Sequence, residues 1–393
     1  MRYYLSMKNI KDFELKGKRV LVRCDLNVPL DENGKVAEDF RIHQVLPLLN
    51  YLRDKGAKIV LISHLGDPGG KKDLKYSLKP VAQKLWQLMG GVKFINETIG
   101  TKVEIQTNLL KEGEIAFLEN LRFYKEEEAN DQEFAKKLSN LGDFFVQEGF
   151  GVCHREHASV VGIPKFLISF PGFLLEKEIK VLSWVMATPE RPFISIVGGA
   201  KILTKTRVIE KLLKKSDYVL VGGKIANSIL TVKGICVRDN WSDEDLKLKQ
   251  DIETLNLTSP KLHLPVDGVI SLKNLQENYL RIGAIGTLKR DEDVFDIGPE
   301  TVEKYKAIIS TAKTIIWNGP LGYFEKAEFR EGTLGVMKAI VEQNAFTVAG
   351  GGETTEIIIR EGLDEKFDHL SSGGGAMLDY IAGVELPGLK ALE

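Results

Sequence analysis

Cysteine is scarce in this chain: Cys24, Cys153 and Cys236 are the only three, far apart and in no CxxC spacing. That leaves no disulfide frame and no thiolate zinc site, and it fits reduced thiols in a cytosolic protein. An excess of one charge is also lacking. A net charge of −1 with both signs abundant argues against a nucleic-acid binder that works by phosphate contacts. Long apolar runs are missing too, both over residues 1–20, where a signal peptide would stand, and elsewhere. No membrane partner is therefore expected, and the expected compartment is the cytoplasm. Neither GxGxxG after an early strand nor GxxxxGK[ST] occurs, which speaks against a nicotinamide dehydrogenase on an α/β scaffold and against a P-loop protein. With no HExxH or Cys/His ligand pattern, His157, His263 and His369 read as structural, and His43 as a solvent-facing or capping residue.

What the chain does have is a recurrence. Four short apolar runs in its second half end in glycine turns: PFISIVGGAK (192–201), YVLVGGK (218–224), TIIWNGPLG (314–322) and FTVAGGGETT (346–355). Val- and Ile-rich runs without alternation read as strands of a parallel sheet buried on both faces. Glycine at a strand's carboxyl end lets backbone N–H groups approach an anion, and a following helix start adds partial positive charge. Lys201 and Lys205 lie just past the first turn. One such turn would be an ordinary strand end; four with lysines attached point to a nucleotide.

The first half alternates as well. KRVLVRCDL (18–26), KIVLIS (58–63), VKFI (92–95), EIAFLEN (114–120) and FFVQEG (144–149) read as strands. Between them, residues 43–56, 79–91 and 131–142 have helical spacing and end in glycine. In the second half 206–216, 301–313 and 332–344 read as helices of the same scheme. Such alternation means parallel sheets with right-handed crossovers, and 393 residues exceed what one core usually supports. The strand ends of the first half carry Arg23, Asp25, Asn27, Arg41, His64, Arg122, His154 and Arg155. A lone loop arginine is usually a solvated group, but several at one sheet edge suit a small polyanion, because the guanidinium fork matches two oxygens. One domain is thus expected to hold a nucleotide and the other a small acid or phosphate. KEEEAND (125–131) reads as a solvated loop, and Trp86, Trp184, Trp241 and Trp317 as packing groups.

RCDLNVPL (23–30), residues 39–66, LENLRFYKEEE (118–128), HREHASVVGI (154–163), GGAK (198–201), WNGPLGYFE (317–325), GGGETT (350–355) and SSGGGA (371–376) together resemble phosphoglycerate kinase. The motifs run in order from about residue 9 to the C-terminus, and their joint order is highly specific. The resemblance implies an α/β fold of two doubly wound parallel-sheet lobes facing across a cleft and joined by an interdomain helix. The boundaries expected are 1–172 for the acid-binding lobe, 173–190 for the helix and 191–377 for the nucleotide lobe. Residues 378–393 would return to the first lobe. The implied reaction moves a phosphoryl group reversibly between 1,3-bisphosphoglycerate and ADP, giving 3-phosphoglycerate and ATP with Mg2+, in a monomer whose hinge closes.

By the same resemblance, Asp25, Asn27 and Arg41 contact the glycerate end of the substrate, and His64, Arg122 and Arg155 hold its non-transferred phosphate. Lys201 and Lys205 meet the nucleotide phosphates, while Gly222, Gly223, Asn318, Pro320 and Glu325 border the adenosine. The turn Gly350, Gly351, Gly352 with Glu353 and Thr354 belongs to the nucleotide, Glu353 standing where the family places its metal-ligating aspartate. Arg41, Lys201, Gly351 and Gly374 are assigned to the transferring group. The chain departs from the family at Asp67, where arginine is usual, with Lys71 and Lys72 close behind. It also departs at Lys224, at ILTK (202–205) and at QEGFG (147–151). These departures support a second reading: a nucleotide-binding relative with impaired catalysis or an altered acid substrate.

Overall fold

The computed structural model describes residues 7–199, 205–236, 243–275 and 279–393, with the side chains of 243–245 left aside. The chain forms two compact units, Met1–Val181 together with Glu385–Glu393, and Leu182–Val384.

In the first unit the strands are β1 (Arg19–Arg23), β2 (Lys58–Ile62), β3 (Val92–Ile95), β4 (Ile115–Leu118), β5 (Phe144–Gln147) and β6 (Ser169–Pro171). They pair in the order β3-β4-β2-β1-β5-β6, every pair parallel. The absence of alternation in these runs has a direct cause. Val20 and Val22 pack into one core with the helices Phe40–Asp54 and Lys79–Met89, whereas Leu21, Val60 and Ile62 pack into another with Val103 and Phe134. Both sheet faces are covered, so successive residues of a central strand are all apolar. Register runs Arg19 opposite Lys58 to Arg23 opposite Ile62, which brings the carboxyl ends of β1 and β2 level. Pro47 lies inside the helix Phe40–Asp54, a position at which the sequence pattern still reads as helical.

The second unit holds a six-stranded parallel sheet of β7 (Phe193–Val197), β8 (Tyr218–Val221), β9 (Leu262–His263), β13 (Thr314–Asn318), β14 (Phe346–Gly350) and β15 (His369–Ser371). Their order is β15-β14-β13-β7-β8-β9. The four glycine-ended runs are β7, β8, β13 and β14, as expected. A second sheet was not anticipated: β10 (Asp267–Leu272), β11 (Arg281–Ala284) and β12 (Glu292–Ile297) pair antiparallel in the order β11-β10-β12.

A continuous helix, Phe173–Ala187, occupies the stretch read as the join, and the division between the units falls within it. The last residues pack on the first unit. Leu386, Leu389 and Leu392 are buried, and the Gly388 N–H donates to the Cys153 carbonyl at 2.9 Å. Two packing expectations fail. Trp86 is exposed on the outer face of its helix, and the KEEEAND stretch opens with a helical turn, Lys125–Glu128, whose Glu127 is fully buried. Trp317 is buried and Trp184 sits edge-on to Phe346, whereas Trp241 lies outside the described residues.

Candidate active site

At the carboxyl ends of β1, β2 and β4 the polar residues of the first unit converge. Arg41, in the first turn of its helix, forms an ion pair with the buried Asp25. Burial alone would raise the Asp25 pKa. The Arg41 charge, helped by His64 and Arg23, outweighs it and brings the carboxyl down to about 2. His64 is buried 3.9 Å from the Asp25 carboxylate, and its Nδ1 is 3.2 Å from Arg23 Nη2. A guanidinium only donates, so Nδ1 accepts and Nε2 carries the proton. Burial, and the surrounding arginines against the pull of Asp25, hold this imidazole well below its usual pKa, neutral at physiological pH.

Arg23 is not available to a ligand. It donates from Nε to Ser159 Oγ at 2.9 Å, from Nη1 to the Cys24 carbonyl and from Nη2 to His64. Ser159 in turn is held by Glu127, which accepts from its N–H at 2.9 Å and its hydroxyl at 2.5 Å. Burial pushes the Glu127 pKa up and the Arg23 charge draws it back. This buried strut fixes His64 from behind. Sequence reading missed Glu127 and Ser159, because an acidic run gives no local sign that one member turns inward.

The next residues form a linked loop. Asn27 Oδ1 accepts from the Gly66 N–H at 2.8 Å, and the Gly66 carbonyl accepts from Arg122 Nη1 at 2.8 Å. Gly66 has φ +61°, and a Cβ there would lie 2.4 Å from the Tyr76 ring, so only glycine fits. Asn120 shapes the turn that carries Arg122, accepting from its N–H at 3.0 Å while donating to the carbonyls of Leu65 and Tyr76. Arg122 is buried, which lowers its pKa, and the charge of Arg155 lowers it further. Arg155 is exposed and joins the group through that field alone. Asp25, Asn27, Arg41, His64 and Arg122 are thus linked at one sheet edge, and Arg155 is tied to them by its charge on Arg122.

In the second unit the glycine turns interlock. The Gly198 N–H donates to the Asn318 carbonyl at 2.9 Å, Gly199 to Pro320 at 2.6 Å and Gly223 to Leu321 at 2.9 Å. A Cβ on Gly198 would stand 2.1 Å from the Pro320 oxygen, so the close approach depends on the missing side chain. The buried Lys205 donates from its amine to the Gly198 carbonyl, and Cβ atoms on Gly199 or Gly319 would crowd it. Helices start at Gly223, Gly352 and Gly375, just past β8, β14 and β15, and none has a side-chain cap. Among the described residues the N–H of Gly223 is taken by Leu321 and that of Ala376 by Gly373, whereas those of Gly352 and Gly375 are left to an anion. Gly374 precedes the last of these with φ +49°, and Gly351 has φ +104°.

A cavity of about 350 Å³ lies against these turns, lined by Gly199, Gly223, Lys224, Pro320, Glu325 and Glu353 among others. Such a volume suits a nucleotide-sized ligand. Val294 and Phe295 of β12 form another part of its wall, with Lys273 and Asp293 nearby. The unforeseen antiparallel sheet thus contributes to the site. Asn318 and Thr354 do not line it. Asn318 donates to the Gly350 carbonyl at 2.8 Å and Thr354 Oγ1 accepts from the Gly319 N–H at 2.7 Å, tying one turn to the next. Gly222 packs beneath, against Leu321. Lys201 and the rest of ILTK before Lys205 lie outside the described residues.

Among the described residues no group of three or more His, Cys, Asp or Glu side chains could hold a metal ion, and no helix is long and apolar enough to cross a membrane. Glu353, exposed in the first turn of its helix and reaching the space over Gly199, is a single carboxylate. That suits a magnesium ion whose other ligands come from nucleotide phosphates and water.

Comparison with known proteins gives one answer throughout. A family model described as phosphoglycerate kinase matches residues 10–384. A phosphoglycerate kinase of Borrelia garinii subsp. bavariensis is 45% identical over 99% of this chain and 100% of that protein. That of Dictyoglomus turgidum is 44% identical over 99% and 98%. Among solved structures, phosphoglycerate kinase from Pyrococcus horikoshii OT3 aligns with TM-score 0.85 and 34% identity, covering 98% of each chain. The Coxiella burnetii enzyme gives TM-score 0.82 and 33% identity over 98% of each.

Proposed function

The chain belongs to the phosphoglycerate kinase family, and from that premise we propose that it transfers a phosphoryl group reversibly between ATP and 3-phosphoglycerate. The observation carrying this reading is that one chain presents two polar sites at carboxyl strand edges, one built from arginines and one from glycine turns with a lysine. In the direction of ATP use, a carboxylate oxygen of 3-phosphoglycerate attacks the γ-phosphorus. The bond from that phosphorus to the bridging oxygen breaks, and ADP leaves with 1,3-bisphosphoglycerate formed. The attacking carboxylate is already ionised, so no general base is needed; the neutral His64 fits a hydrogen-bonding role instead. Such a transition state calls for alignment and for compensation of charge on the phosphoryl oxygens.

Arg41, oriented by Asp25, supplies positive charge from the acid side, with Asp25 and Asn27 reading the glycerate hydroxyl and carboxyl groups. Arg122, Arg155 and His64 receive the phosphate that stays behind. Lys205 and Lys201, with the open N–H groups at Gly352 and around Gly374, receive the phosphates of the nucleotide, whose base lies toward Pro320, Glu325 and Val294. Glu353 would hold the magnesium that accompanies the nucleotide, which would supply further charge compensation. Asn318 and Thr354 act by holding the turns. Residues 1–172 and 191–377 serve as the acid and nucleotide domains, 173–190 joins them, and the part of 378–393 from Glu385 on completes the first. The protein works in glycolysis as a cytoplasmic monomer. The deciding experiment is ATP-dependent phosphorylation of 3-phosphoglycerate, coupled to reduction of the acyl phosphate and followed by NADH oxidation. No NADH consumption by folded protein would reject this function.

A further inference from the structure

We infer that Asp67 and Glu128 are built-in competitors for the charge of Arg122, so that the phosphate end of the acid substrate binds by displacing Glu128 and against the field of Asp67. This rests on the acid-site reading above. Arg122 is only 6% exposed; its Nη1 donates to the Gly66 carbonyl at 2.8 Å, while Nε makes no hydrogen bond and meets Glu128 Oε1, 3.2 Å away, as an ion pair only. Asp67 directly follows Gly66, whose N–H is fixed by Asn27, and its carboxylate acts on the Arg122 charge from there. Among the described residues, Asp67 makes no ion pair with Lys71 or Lys72 that would neutralise it locally. Its one hydrogen bond is a long one, 3.4 Å from the Gly69 N–H. Lys72 reaches instead to the Asn96 carbonyl at 3.5 Å.

Both competitors are placed to yield. Glu128 is 38% exposed and meets Arg122 through one oxygen, and Asp67 is exposed without a hydrogen bond to the guanidinium. A doubly charged phosphate offers paired oxygens and more charge than either carboxylate, so it wins the exchange. A ligand with a singly charged carboxylate at this end gains little over the groups already present. Asp67 is therefore a positioning residue that sets affinity, and selects phosphate over carboxylate, through Arg122.

The test uses the full chain. Calorimetric titration with 3-phosphoglycerate at low ionic strength should show about three- to tenfold tighter binding for Asp67→Asn, as expected for removing one exposed like charge at several ångströms. The gain should shrink at on the order of 0.5 M KCl, appear in KM rather than kcat, and vanish in an Arg122→Gln background. Unchanged or weaker binding in folded Asp67→Asn overturns the inference, as does a gain that persists without Arg122. Failure of the function itself looks different: wild-type protein would neither bind nor phosphorylate 3-phosphoglycerate.

Discussion

Replacing Arg41 with methionine tests how the acid site is held together. Asp25 titrates near 2 instead of 3.8 although burial alone would move it the other way. At roughly 1.4 kcal/mol per pK unit, its ionised form is favoured in the folded protein by on the order of 2 kcal/mol relative to the unfolded chain. Arg41 is the largest source of that preference. Its side chain keeps 24% exposure, so water screens part of the attraction. A double-mutant cycle over Asp25→Asn and Arg41→Met should give a coupling of about 2–3 kcal/mol, between exposed and sealed pairs. The pH dependence carries a second signature. A depressed carboxyl stabilises above its unfolded pKa, and that contribution is lost as pH falls from about 4 toward 2. Without Arg41 the burial of Asp25 loses its largest opponent. Arg23 and His64 still oppose it, so the Asp25 pKa moves back up toward the ordinary value, and the stability lost between about pH 4 and 2 should be smaller in Arg41→Met than in wild type. Urea unfolding, with hydrogen exchange of β1 and β2 amides to assign the effect to the first unit, measures both. A coupling below about 0.5 kcal/mol, or identical pH slopes in the two proteins, would refute the reasoning.

The same Arg41→Met variant should lose about 10²-fold or more in turnover with ADP affinity nearly unchanged, as measured by steady-state kinetics and calorimetry, because its charge acts on the transferring group. Glu353→Gln should weaken binding of MgADP much more than of metal-free ADP; equal losses by calorimetry would remove the carboxylate from the metal. Asp296 is buried at the start of the helix Glu331–Val341, and burial raises its pKa to about 7 against the opposing N–H groups of Gly332 and Ile297. The folded state then binds the proton more tightly than the unfolded one, so its stabilisation falls as pH rises from about 4 to 7. Asp296→Asn should flatten that slope in urea titrations across the same window.

Much of this molecule was legible in its residues, for physical reasons that differ by element. The strands β7, β8, β13 and β14 announce themselves because a doubly covered sheet demands continuous apolar runs, and the turns after them demand glycine where backbones meet. The strands β10–β12 stayed hidden. DVFDI is short, partly exposed and interrupted by acids whose purpose, as with Asp296 at a distant helix start, lies elsewhere in the chain. Helix Thr101–Asn108 was missed likewise, its apolar residues being too few to mark a face. In the acid site Asp25, His64 and Arg122 stand out by residue type at strand ends. Their supports do not: Glu127 looks like its charged neighbours until the fold brings Ser159, 32 residues on, against it. Long-range partnership of this kind leaves no trace in local pattern.

The packing of residues 385–393 onto the first unit has a consequence for how the chain is made. Synthesis runs from the amino terminus, and domains ordinarily fold as they emerge. Here the first unit leaves the ribosome without Leu386, Leu389 and Leu392, and the surface around Cys153 and Val160 stays uncovered while some two hundred residues of the second unit are translated. The first domain to appear is the last to be finished. Its final closure waits on residues 385–393, so a ribosome stalled before them would hold a nascent chain whose first unit still lacks part of its core.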